Sequence, residues 1–199
     1  MKIFYANPLI TILLISDLFV VVGFGFVEPI LALFIVDLPG ATIKTIGVAM
    51  GIYLITKSLT QVPFSRFIDK YDDSFDVKWL FFGTTLIAMT PIIYMNADNV
   101  FMIYIAQIIN GLGAGFAYPA WLGLWSTHLD RGKESFQWSF YSTITGISTA
   151  VAAPTGAYIA DTFGFQNLFL AMFIFAIFGS TLTLVAHSYI SRSHQHKRR

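Results

Sequence analysis

Apolar residues run along the chain in six long stretches, roughly 9 to 36, 46 to 66, 77 to 95, 101 to 126, 135 to 160 and 165 to 187. Between them sit short polar connectors, DLPGATIK, DKYDDSFDVK, NADN, HLDRGKE and DTFGF, which hold most of the charge and the turn formers. A hydrocarbon core of about 30 Å takes about 20 apolar helical residues to cross. The pattern therefore predicts an all-α membrane protein with six transmembrane helices.

Composition strengthens that reading: 56% of the 199 residues are hydrophobic and only 12% are charged. An ordinary soluble domain carries about 25% charged residues. The formal net charge of +1 and the lack of a sustained basic patch exclude nucleic acid as a main partner. With no cysteine, thiolate metal sites are excluded. Lys2 precedes an apolar run too long for a signal-peptide core, with no small-x-small cleavage site after it, so no removable leader is expected.

Basic residues set the expected orientation. With the N-terminus inside, Lys2, Arg66, Lys70, Lys78, Arg131, Lys133, Arg192, Lys197, Arg198 and Arg199 all fall on the cytoplasmic side. Lys44 falls outside and Lys57 within a span. Trp79, Trp121, Trp125 and Trp138 fall near the cytoplasmic ends, where an indole N–H can stay wet. Both termini are then cytoplasmic, in the plasma membrane (the inner membrane of a cell with two). The span pattern reads as one domain over 1–199, closing in a basic cytoplasmic tail over 188–199.

GFGFVEP at 23 to 29 and GAGFAYP at 113 to 119 share two glycines, a phenylalanine and a proline at a shift of 90 residues. The same shift lays spans one to three onto four to six. Three is odd, so the halves, about 9–95 and 99–187, form an inverted repeat of three helices each. Gly23, Gly25, Gly113 and Gly115 permit close backbone approach, while Pro29 and Pro119 each remove a helix hydrogen bond. Inverted repeats with breaks at mid-depth are the arrangement expected of a transporter. Simple helix packing is the competing reading. Asp17 and Glu28 pair by the shift with Gln107 and Tyr118, and in each helix the two positions lie on one face, about 16 Å apart. Two polar faces are expected to line one cavity.

Several motifs resemble those of the major facilitator superfamily. SRFIDKYDD after span two is similar to its G-x-x-x-D-R-x-G-R-R loop, with Asp69 and Lys70 at the acidic and first basic positions. Ser65, Asp72 and Asp73 depart from it. QIINGLGAG resembles the R-x-x-x-G-x-G motif with Gln107 in place of arginine, and AAPTGAY is a degraded form of the antiporter G-P-x-x-G-G motif. The resemblance implies a half-size, six-helix form of that fold. It also implies that helices one and four of a half line the substrate path, helices two and five face the other half, and Asp69 and Lys70 latch a cytoplasmic gate. A solvated turn is the plainer account of that pair.

Asp17, Glu28 and Lys57 are the intramembrane ionisable groups, and each costs several kcal/mol in lipid, so protein-facing or water-facing positions are expected. Glu28 and Lys57 are candidates for an ion pair. The alternatives are a structural pair or a snorkelling lysine on one hand, and a proton- or cation-binding Glu28 tuned by Lys57 on the other. Tyr53, Lys57 and Gln61 share one face of span two, and Gln107, Asn110 and Tyr118 add polarity to span four. These read as cavity lining or as polar glue. Gly146, Ala150, Ala153, Ala157 and Ala160 form a small-residue seam for helix packing. A metal at the His-x-His of the tail is not expected, since a solvated basic anchor explains it, and His128, beside Asp130 and Arg131, is expected as a surface histidine or a loop-ordering contact rather than a catalytic group.

The leading expectation is a secondary transporter of a small molecule working by alternating access in the lipid bilayer, with proton coupling through Glu28 and no cofactor. One six-helix half provides one wall, so a homodimer is expected, with another half as the alternative partner. The other class is a non-transporting membrane module that assembles with or regulates a partner. No enzyme is expected: G-x-S-G and H-E-x-x-H motifs are missing, as are the Asn-Pro-Ala pairs of a water channel.

Overall fold

The computed structural model describes residues 7–197, with side chains through residue 190. Lys2, Arg198 and Arg199 lie outside the described residues. The described residues fold into seven helices: α1 (Pro8–Val27), α2 (Leu31–Val36), α3 (Ile43–Ile68), α4 (Asp73–Met95), α5 (Val100–Thr127), α6 (Glu134–Phe163) and α7 (Phe165–Lys197). Each expected stretch coincides with helix, except that the first is split into α1 and α2. The last helix continues through most of the segment expected as a tail. By length and apolarity, α1, α4, α5 and α7 qualify to cross a membrane. α3 and α6 are long enough but too polar along their length to meet that measure.

Local chemistry fixes the helix starts. The Asn7 side chain accepts from the Leu9 N–H at 3.0 Å, with Pro8 at the first helical position. Asp72 accepts from the Phe75 N–H at 3.1 Å, and Asn99 from the Met102 N–H at 3.1 Å. Thr42 and Thr45 form a reciprocal capping box at α3. Each of these caps satisfies backbone donors that a helix start leaves without intrahelical partners. α6 ends at Gly164, whose φ of +82° suits glycine alone.

Packing follows a simple pattern. α5 lies against α3 and α4, α1 lies against α6 and α7, and α4 and α7 lie against each other. Two apolar cores stack at different depths. One gathers Leu9, Leu13, Phe64, Val77, Leu124 and Trp125, the other Phe26, Val27, Ile35, Tyr94, Ile103 and Phe169. Buried hydroxyls join helices between them: Ser16 Oγ donates to the Gly179 carbonyl at 2.8 Å, and Thr84 Oγ1 donates to Ser180 Oγ at 3.0 Å.

Two expectations change here. Trp121 and Trp125 are not at a wet edge; they are buried and stacked, with ring centroids 5.1 Å apart, beside Trp138 and Tyr141. The small-residue seam of α6 faces mostly away from this chain's own bundle. The side of α6 that packs closely carries Ala152 and Gly156, and a Cβ on Gly156 would collide with the Phe26 backbone carbonyl. Gly146, Ala150 and Ala157 are exposed.

Candidate functional site

The break between α1 and α2 makes the site. Pro29 has no N–H to return to the Gly25 carbonyl, and the chain tightens: Ile30 N–H donates to Val27 at 3.0 Å. Ile30 then leaves helical geometry (φ −120°, ψ −1°) before α2 resumes at Leu31. Glu28 is exposed at this turn.

Beneath α2 lies a cavity of about 380 Å³, lined by Glu28, Leu31, Ile35, Ile46, Met50, Tyr53, Tyr94, Gln107, Asn110 and Met172 among others. This is within the range of roughly 300 to 1,000 Å³ typical of small-molecule sites. The lining is mostly apolar, with a few polar groups converging on it. Gln107 Nε2 donates to the Tyr94 hydroxyl at 3.2 Å, both buried, so the amide is held in one orientation. Asn110 lies one turn further along α5 and is also buried. The structure therefore brings together Glu28, Gln107 and Asn110, and it adds Tyr53 and Tyr94. Tyr94 was not singled out from the sequence; a tyrosine near the end of an apolar run gives no sign of which face it takes.

Other candidates stand apart from the cavity lining. The Asp17 carboxylate accepts a hydrogen bond from the Tyr141 hydroxyl at 2.7 Å, tying α1 to α6. Lys57 Nζ lies 5.0 Å from the Tyr118 ring centroid and 6.0 Å from that of Tyr53, a cation–π arrangement on the α3 and α5 surface. Glu28 and Lys57 form no ion pair with each other; among the described residues the ion pair is His128 Nε2 with Asp73 Oδ2 at 3.3 Å. Tyr118 is partly exposed beside Lys57. Asp69 caps the end of α3 and Lys70 follows in the turn, both exposed.

The echo glycines are all contact points. A Cβ on Gly23 would meet α7 at the Met172 oxygen (3.1 Å), and one on Gly25 would meet α6 at Ala152 Cβ (2.9 Å). A Cβ on Gly113 would meet α4 at the Gly83 oxygen (2.7 Å), and one on Gly115 would meet α3 at Thr60 Cβ (2.7 Å). Pro119 is buried inside an unbroken α5.

At the other end of the bundle, His128 caps α5. Asp73, accepting from its Nε2, raises the imidazole pKa from its ordinary value against the opposing effect of burial. Its Nδ1 is 3.0 Å from the Leu124 carbonyl.

A sequence profile described as Major Facilitator Superfamily matches residues 13–199. The chain belongs to this superfamily. Its relatives include the inner membrane transport protein YajR of Escherichia coli (strain K12), 28% identical over 162 residues, which cover 81% of this chain and 35% of that protein. An uncharacterized transporter of Buchnera aphidicola subsp. Schizaphis graminum is 26% identical over 156 residues, covering 78% of this chain and 39% of its own length. The uncharacterized transporter YybO of Bacillus subtilis (strain 168) is 24% identical over 161 residues, covering 79% and 35%. The chain spans a little over a third of the length of these relatives. Family and relatives point to an integral membrane protein of a transporter family rather than to an enzyme.

Proposed function

We propose that the chain is one wall of a secondary transporter that moves a small molecule across the cytoplasmic membrane by alternating access. The reading takes α1 and α2 together as the first of six spans, in two inverted three-helix repeats with both termini in the cytoplasm. The observation that carries it is the matched use of the two echoes. The first glycine of each touches the third helix of the opposite repeat, and the second touches its second helix. A shift of three spans turns α1 against α6 and α7 into α5 against α3 and α4, as an axis in the membrane plane requires.

The cavity between these helices is the substrate site, and Glu28 is the group that carries a proton or a cationic substrate group. Asp17, Lys57 and Tyr118 extend the polar wall, and Asp69 with Lys70 closes the cytoplasmic side.

The second wall is another copy of the chain. α3 and α6 expose large apolar residues, among them Ile55, Leu59, Ile147 and Val151, although both are more polar along their length than α1, α4 and α5. The open seam of Gly146, Ala150 and Ala157 lets another helix approach closely. A parallel dimer through α3 and α6 covers these faces and encloses the path.

Proteoliposome uptake tests the reading. With substrate supplied, Glu28→Gln is expected to abolish the dependence of uptake on a pH gradient; unchanged coupling removes Glu28 from the mechanism. The detergent-solubilised particle is expected at twice the mass of the chain, with Leu59→Cys and Ile147→Cys crosslinking between copies. A strict monomer contradicts the dimer.

A further inference from the structure

We infer that the wall takes a charge-separated zwitterion with an apolar body, its ammonium on Glu28 in the cavity and its carboxylate reaching out of the cavity, past Tyr53, toward Lys57. This deepens the transport reading and rests on it.

Glu28 is exposed and Lys57 half-exposed on this wall, and they do not neutralise each other. Charges inside a membrane protein are costly to leave without compensation. Lys57 is held by two tyrosine rings, Tyr53 and Tyr118, and not by a carboxylate. Cation–π contacts of this kind are worth about 0.5 to 2 kcal/mol, so the ammonium keeps capacity for an anion. Asp17, the nearby acid on α1, is already engaged by Tyr141. Tyr53 links the two charges physically: it lines the cavity with Glu28 and supports Lys57 from below. A ligand that satisfies both must reach past that ring, whose centroid lies 6.0 Å from the Lys57 ammonium.

The remaining lining assigns the rest of the ligand. Glu28 shares the cavity with Gln107, Asn110 and the tyrosine hydroxyls, which offer further acceptors to an ammonium. Leu31, Ile35, Ile46, Met50 and Met172 supply a pocket for an apolar body. A simple lipophilic cation would satisfy Glu28 and leave Lys57 idle; a simple anion would do the reverse.

The test is ligand-induced thermal stabilisation of the purified full chain, using leucyl-leucine and 6-aminohexanoate, each beside its amide and its N-acetyl derivative. The zwitterions are expected to stabilise the protein most, with apparent affinity about tenfold above either derivative, equivalent to about 1.4 kcal/mol. Lys57→Gln is expected to bring the amides level with the zwitterions, and Glu28→Gln to do so for the N-acetyl forms. Amides that match the zwitterions in the unaltered protein, or stabilisation by none of the probes, overturn the inference. Neither result bears on transport, which is read separately by crosslinking and uptake; zwitterion binding without uptake in liposomes would count against transport and leave the site standing.

Discussion

The same proline-terminated motif is used in two places and gives two different backbones. At Pro29 the helix stops, turns and starts again as α2; at Pro119 α5 continues through 28 residues. Both prolines remove a hydrogen bond, so the lost bond alone does not decide the outcome. Burial does. Pro119 is enclosed, and the glycines before it are pinned by backbone and side chains of α3 and α4, so neighbours hold the helix on course. Pro29 and Glu28 are exposed at the open face, where little opposes a turn. A proline thus marks a weak point, and packing on either side chooses between a kink and a break.

That comparison can be broken at the glycines. Gly113→Ala forces a methyl within 2.7 Å of the Gly83 backbone oxygen and 2.9 Å of the Ile87 nitrogen, neither of which can yield cheaply. Overpacking of this kind costs about 1 to 3 kcal/mol. Gly23→Ala meets its neighbours at 3.1 to 3.2 Å, and a gain of about 1 kcal/mol in helix propensity offsets the crowding. Thermal melting in detergent should therefore show a clear loss for Gly113→Ala and little change for Gly23→Ala.

The prolines give the next effect. Pro29→Ala returns an N–H able to bond the Gly25 carbonyl, so α1 and α2 should tend to fuse. Hydrogen exchange at residues 28 to 31 is expected to slow, with a smaller change in melting temperature than Gly113→Ala produces and a loss of uptake. Pro119→Ala should leave the exchange pattern of α5 as it is.

The smallest effect lies outside both echoes, at His128. Its raised pKa means that the Asp73 contact stabilises fully below the unfolded-state value of about 6.5 and is lost as pH rises through the folded-state value. Half-exposed pairs contribute about 0.2 to 1 kcal/mol. His128→Ala should remove that slope from the melting profile and leave the cavity untouched.

Much of this was legible in the chain because long apolar stretches bounded by polar connectors announce helices. Helices at Ile43–Ile68, Asp73–Met95, Val100–Thr127 and Glu134–Phe163 lie within a few residues of the apolar stretches. The echo marked four of the glycines that make contact; Gly83, Gly111, Gly156 and Gly179 do so without it. What periodicity could not supply was facing. The α6 seam was assigned to Gly146 and Ala150, whereas Ala152 and Gly156 meet α1, because several small residues in one helix define more than one narrow stripe. The indoles of Trp121 and Trp125 were expected at a wet edge; tertiary stacking buried them. Asp17, nearer the cytoplasmic end, reads in sequence as a capping or solvated acid; nothing there shows that Tyr141 on α6 engages it while Glu28 stays open.

The central claim is that the open break in α1 and the polar face of α5 line one water-accessible cavity. The chain has no cysteine of its own, so single substitutions report directly. Labelling of Asn110→Cys, Met50→Cys and Ala32→Cys in membrane vesicles with a water-soluble, membrane-impermeant thiol reagent is the decisive measurement. Rapid modification at these three positions, beside no modification at Ile174→Cys on the exposed side of α7, is the expected result. Equal resistance at all four would contradict it.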